Sequence, residues 1–187
     1  MMSDPMKPLP RPAVKVGAAG ALLSGLLMVG EVHAAECRLS LSRPEVDLGA
    51  LRHGGQVAAQ GVLFGKRTLH LNVVCPQDTV IAVRFRGVPA VGQGFRFGHQ
   101  GYFNLSLQQS VLDGRPVDLA PLHHRAERSS QLLPDQAMVV LAAGLPAVGR
   151  VFSAQVQVDT YLFNTATAVR DKTVLEGGGR FELVPAG

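Results

Sequence analysis

A chain of 187 residues with a formal charge of +4 is long enough to bury one core, and by length it is one domain once an export leader is set aside. The basic excess is too small to argue for nucleic acid as a partner. In chain order, the first element is that leader. Lys7, Arg11 and Lys15 form a basic head, Val16 to Gly30 is an uncharged apolar run, and Val32-His33-Ala34 supplies small residues at −3 and −1. This order predicts a signal peptide over residues 1–34, cleaved after Ala34 or one residue later. Its apolar core of about 14 residues is shorter than the ~20 that a helix needs to cross a bilayer. Cleavage leaves a domain over residues 35–187 with a charge of about +3. No transmembrane segment follows the leader, so the expected product is soluble or assembled into something outside the inner membrane.

Cys37 and Cys75 are the only cysteines in the chain. In an exported protein such a pair is expected to form a disulfide, worth about 3–4 kcal/mol for a loop of this length on the chain-entropy model. A redox pair or metal ligation fits poorly, because no Cys-x-x-Cys spacing occurs and no histidine pair accompanies either cysteine.

Beyond Cys37 the hydrophobic period is two. Leu69, Leu71 and Val73 alternate with Thr68, His70 and Asn72, while Ile81, Val83 and Phe85 alternate with Ala82, Arg84 and Arg86. The pattern continues over Tyr102 to Leu107, Met138 to Leu141 and Phe152 to Phe163, where Ala154, Val156, Val158 and Thr160 share a face, and closes with Arg180 to Val184. Each segment reads as a half-buried strand. Turn signals separate them: Gly54-Gly55, Pro76, Gly87 to Gly94, Asp113-Gly114-Arg115-Pro116, Gly144 to Gly149 and Gly177-Gly178-Gly179. About seven short strands with Gly/Pro turns predict an all-β, antiparallel β-sandwich. The one stretch with room for a helical turn is His123 to Gln131.

Cys37-Arg38-Leu39-Ser40-Leu41, Val46-Asp47-Leu48-Gly49, Gly65-Lys66-Arg67-Thr68 before the strand into Cys75, and Asp78-Thr79-Val80 after it resemble the immunoglobulin-like subunits of chaperone–usher fimbriae, or pili. Phe97-Gly98, Gly101 to Leu107 and the acidic turn Asp113-Gly114 are closer to a fimbria-associated branch of unknown function. The resemblance runs from Cys37 to Val184 and rests on the order of short motifs. It implies an immunoglobulin-like, pilin-type sandwich lacking one strand. A periplasmic chaperone's strand fills the gap first, and a neighbouring fimbrial subunit's extension fills it later, at an usher. Such filling is β-augmentation: an open edge gains backbone hydrogen bonds and its pockets gain alternate side chains. In such subunits the last strand borders the groove, so Phe181 and Leu183 are expected to line it.

Two departures narrow the expectation. The chain adds Pro185-Ala186-Gly187 after its last strand, with no aromatic near the end. A strand donor also needs about ten residues of alternating character before the first cysteine, and two or three remain here after cleavage. This points to a subunit that accepts a strand without donating one, terminal or accessory in a fimbria. An internal filler, Thr173-Val174-Leu175, is a further way to complete the fold.

No catalytic constellation is found, so no enzyme and no cofactor are expected. His123-His124 suits a solvated loop, since adjacent strand residues face opposite ways and no ligand set is completed nearby. His70 holds a polar strand position, and Asp47 suits a turn before Gly49. Arg84, Arg86 and Arg96 offer a basic face on which guanidinium forks match anionic groups; the plainer reading is the solvated side of a strand. The alternative to a fimbrial subunit is thus a self-complete secreted adhesin or glycan-binding domain, with a host glycan as partner.

Overall fold

The computed structural model describes residues 36–49, 57–58, 61–92, 94–163 and 174–186. The predicted leader, the Gly54-Gly55 turn and Thr173 lie outside the described residues. Within them every regular element is a strand and every pairing is antiparallel. Two sheets share one core, as expected for a β-sandwich. Among the described residues no helix is long and apolar enough to cross a membrane, and His123 to Gln131, where a helical turn had room, holds turns and the start of a short strand.

The first sheet runs β1 (Arg38–Leu41), β3 (Gly61–Val80), β12 (Val148–Leu162), β6 (Gly101–Leu112), β5 (Phe95–Phe97). Short strands β2 (Val57–Ala58), β7 (Arg115–Pro116) and β9 (Gln131–Leu132) attach to β3 and β6. The second sheet joins β8 (Asp118–Pro121), β10 (Ala137–Ala142), β11 (Leu145–Pro146), β4 (Ala82–Gly87) and β13 (Gly179–Leu183), with β13 beside β4 at one end. Alternation decides which residues meet between the sheets. Leu71, Val73, Val83, Phe95, Leu107, Met138, Val140, Phe152 and Val156 are all buried to 2% exposure or less, and they come from both sheets.

One turn signal acts as expected and one does not. Asp113 and Gly114 both take positive φ, 48° and 79°, which closes the β6–β7 hairpin in two residues and matches the strand twist. The Asp113 carboxylate also accepts hydrogen bonds from the backbone N–H of Arg150 and of Val151, the latter at 2.8 Å. Pro76, expected to end a strand, lies inside β3. The β3–β12 register jumps from Val74↔Val151 to Thr79↔Gly149, so Pro76 falls where the ladder asks for no N–H donor.

The second sheet is apolar on both faces near its centre. Ala82, Ala120, Val139 and Leu141 form a separate buried cluster, packed by Val80, Leu122, Val184 and Ala186. The C-terminal residues pack against this cluster: Val184 N–H extends the β13–β4 ladder by donating to Ala82 O at 3.0 Å, and Arg125 reaches the Ala186 carbonyl at 3.5 Å. Removing residues 184–187 is expected to cost about 1 kcal/mol of stability, from half-buried Val184 and Ala186 losing their apolar contacts. Dye binding to the newly exposed apolar strip, alongside urea denaturation, checks this.

Candidate strand-docking site

The two sheets each end in a strand with one free side, and those strands lie close together. β1 pairs only with β3 and β13 only with β4 among the described residues. Their Cα traces approach within 8 Å, yet no described backbone hydrogen bond joins them. The Cys37–Cys75 disulfide fastens the start of β1 to β3. Leu39 and Leu41 then stand opposite Val73 and Leu71, while Phe181 and Leu183 stand opposite Phe85 and Val83. All four point into the core cluster and all four are only half-buried.

The ladder phase puts the backbone groups of the same four residues on the free side. Val184 N–H bonds to Ala82 O, and Ser42 N–H bonds to His70 O at 2.9 Å. Antiparallel pairs alternate between hydrogen-bonded and non-hydrogen-bonded. Counting back by twos, Glu182 and Arg180 bond to β4, and Ser40 and Arg38 bond to β3. Leu39, Leu41, Phe181 and Leu183 therefore turn their N–H and C=O groups outward. Each position offers an incompletely covered apolar side chain and a backbone unpaired among the described residues, the two things that strand addition uses. A strand hydrogen-bonded to both edges requires a spacing of about 9.5 Å, two ladder steps. The edges are closer than this at their nearest point, so they must part when such a strand enters.

An aromatic cluster supports this wall from behind. Phe181 packs on Phe85 with ring centroids 5.0 Å apart, and Phe85 lies edge-on to Phe95 at 4.8 Å. Phe95 stacks on Phe103 at 5.5 Å. Val174 and Leu175, from the predicted internal filler, are elsewhere: Val174 is 75% exposed. Leu175 lies against Gly98, beyond the β5 end of the first sheet.

On the outer face of the second sheet Arg84 and Arg86 converge on Glu182, across from them on β13. Both donate Nε–H to the same oxygen, Oε1, at 2.7 and 2.6 Å. Arg180 Nε lies 4.0 Å from the other oxygen. Arg96 belongs to β5 in the first sheet, next to Tyr102 of β6, so the structure brings Arg84 and Arg86 together and leaves Arg96 apart. Hydrogen bonds from Arg86 and then Arg84 hold the Glu182 carboxyl below its ordinary value of 4.5. The same contacts, the hydrogen bond first, raise Arg86.

A depressed carboxyl stabilises the fold fully above the ordinary value and loses that contribution as acid takes the pH down through the folded value. Glu182→Gln is therefore expected to be less stable than the native protein at pH 7 and equal to it near pH 2 or below, after both states have protonated. Denaturation of both proteins across this range measures it.

Glu182 was not singled out by sequence reasoning. Its signal was present as a carboxylate alternating with Phe181 and Leu183, but only the β4–β13 register puts it opposite Arg84.

The other polar candidates have structural duties or face solvent. Asp47 Oδ1 accepts from Gly49 N–H at 2.7 Å, with Gly49 at φ 75°, a side-chain-closed turn. His70 is exposed, as are His123 and His124 in the turn after β8. No group of three metal-ligating side chains occurs among the described residues. No family model, curated protein or solved structure matches the chain.

Proposed function

We propose that this chain is an exported fimbrial or fimbria-associated subunit that accepts an extended strand at the β1 and β13 edges. One observation carries the reading. At both edges the same residues, Leu39, Leu41, Phe181 and Leu183, combine half-buried inward side chains with backbone groups that the ladder leaves unpaired. Two such edges approaching within 8 Å make a cleft suited to an alternating apolar strand, because backbone pairing gives affinity and the inward side chains give register. The resemblance of Cys37 to Leu41 and of Val46 to Gly49 to pilin-type subunits assigns the partners: a periplasmic chaperone, an usher and a neighbouring subunit. The role is assembly, with the disulfide holding β1 in place for docking.

The test supplies the missing strand in cis. A flexible linker and a nine-residue strand of alternating Val and Ser are fused after residue 187, and both forms are produced in the periplasm. The unfused protein is expected to accumulate at low yield, and the fused form to accumulate as a monomer with a higher Tm. An unfused protein that is monomeric, unfolds cooperatively and gains nothing from the strand contradicts the proposal.

A further inference from the structure

We infer that the strand docking along β13 carries a carboxylate that seats beside Arg180, on the outer face of the second sheet. This rests on the strand-accepting reading and names the chemistry of its partner. Arg86 and Arg180 are direct cross-strand neighbours, and like charges directly opposite in a ladder repel. Glu182 relieves this in part. Its Oε1 takes both Arg84 and Arg86, while Arg180 stays 4.0 Å from Oε2 with a side chain 77% exposed. Asp135 adds a weaker attraction on Arg86. Three guanidinium groups thus face two carboxylates, and the least satisfied of the three is on the strand with the free edge.

On its β4 side that guanidinium also borders open space. Arg86, Gly87, Val88, Gly178, Gly179 and Arg180 line a recess of about 450 Å³. Its floor is glycine because packing demands it: a Cβ on Gly87 meets the Phe85 and Phe95 rings at 2.7 and 2.9 Å, and one on Gly179 collides with the Arg86 carbonyl and the Phe85 ring. No side chain of β13 before Arg180 fills the recess.

A strand added at the edge points alternate side chains inward, against Phe181 and Leu183, and the others outward, beside Arg180 and Glu182. An outward Asp or Glu next to Arg180 forms a charge-assisted hydrogen bond, and the guanidinium fork suits a carboxylate. A lysine at that position meets Arg180 as a like charge. The favoured partner is an extended segment alternating apolar and acidic residues, and the charge match also speeds its encounter.

Two synthetic nine-residue peptides test this against the purified full chain. Both alternate Val with outward residues; in one these are Ser, in the other Asp. Fluorescence anisotropy at low salt is expected to give about fivefold tighter binding for the Asp peptide, the scale of a partly exposed ion pair, with the difference lost near 1 M salt. Arg180→Glu is expected to abolish or invert the preference, read as the ratio of the two peptides' affinities for the variant. Equal affinities for the two peptides, or a preference that Arg180→Glu leaves intact, overturn the carboxylate site and leave the strand-accepting reading standing. Failure of both peptides to bind overturns both readings.

Discussion

Replacing Cys37 by Ser and Cys75 by Ala together is expected to lower the free energy of unfolding by about 4 kcal/mol, the loop-closure value for a bridge of this span. The two cysteines are 38 positions apart, so the intact bond removes a large set of open conformations from the unfolded chain. Alanine is the better choice at Cys75, which is 1% exposed, because a buried hydroxyl adds its own desolvation cost. The denaturant slope is expected to rise as the unfolded state expands. A local effect goes with the global one. β1 is four residues long and, among the described residues, pairs on one side only, so without its anchor it is expected to be the first strand to open. Urea denaturation of the variant, with amide exchange at Leu39 and Leu41, reads both effects. An unchanged midpoint contradicts the stabilising role given to the bond.

Phe95→Ala is expected to cost about 3–5 kcal/mol, the range for truncating a buried aromatic side chain. Phe95 is fully buried and contacts both Phe85 and Phe103, and aromatic pairs add to the burial of area alone. Phe95→Leu refills much of the space and is expected to cost roughly half as much. The position also reaches the docking edge. Phe85 bridges Phe95 to Phe181, so a cavity at Phe95 lets Phe85 move and slackens the β13 wall. Strand-peptide affinity in Phe95→Leu, which keeps the fold, is expected to fall by several-fold. A loss of stability with affinity intact indicates that the edge is held by β4 alone.

The sequence made the faces of strands legible more readily than their partners. Leu69, Leu71 and Val73, or Ala154, Val156 and Thr160, are buried as the period of two implies, because alternation records one face of a sheet. It carries no label for the neighbouring strand. Arg84 and Glu182 are 98 positions apart, and only their pairing turns two solvated charges into one cluster. The same limit applied to the docking edge: Phe181 and Leu183 could be named as inward-facing, but the proximity of β13 to β1 is a property of topology.

Strands of two or three residues, such as β7, β9 and β11, are too short to hold a period. Pro76 misleads because a register jump opposite Arg150 excuses its missing N–H. The outer cluster of Ala82, Val139 and Leu141 went unread for a different reason: Ala137 to Leu141 is apolar without a break, as a strand covered on both faces should be, but the cover comes from distant Leu122, Val184 and Ala186.

Amide hydrogen exchange at the two edges tests the central claim most directly. In the protein alone, the N–H groups of Leu39, Leu41, Phe181 and Leu183 are expected to exchange quickly, while those of Ser40, Arg180 and Glu182, bonded into their ladders, are protected. Binding of an alternating apolar strand is expected to slow Phe181 and Leu183, with Leu39 and Leu41 following where the strand bridges both edges. Full protection of Phe181 and Leu183 in the unbound chain would show that this edge is already closed, and would contradict the account.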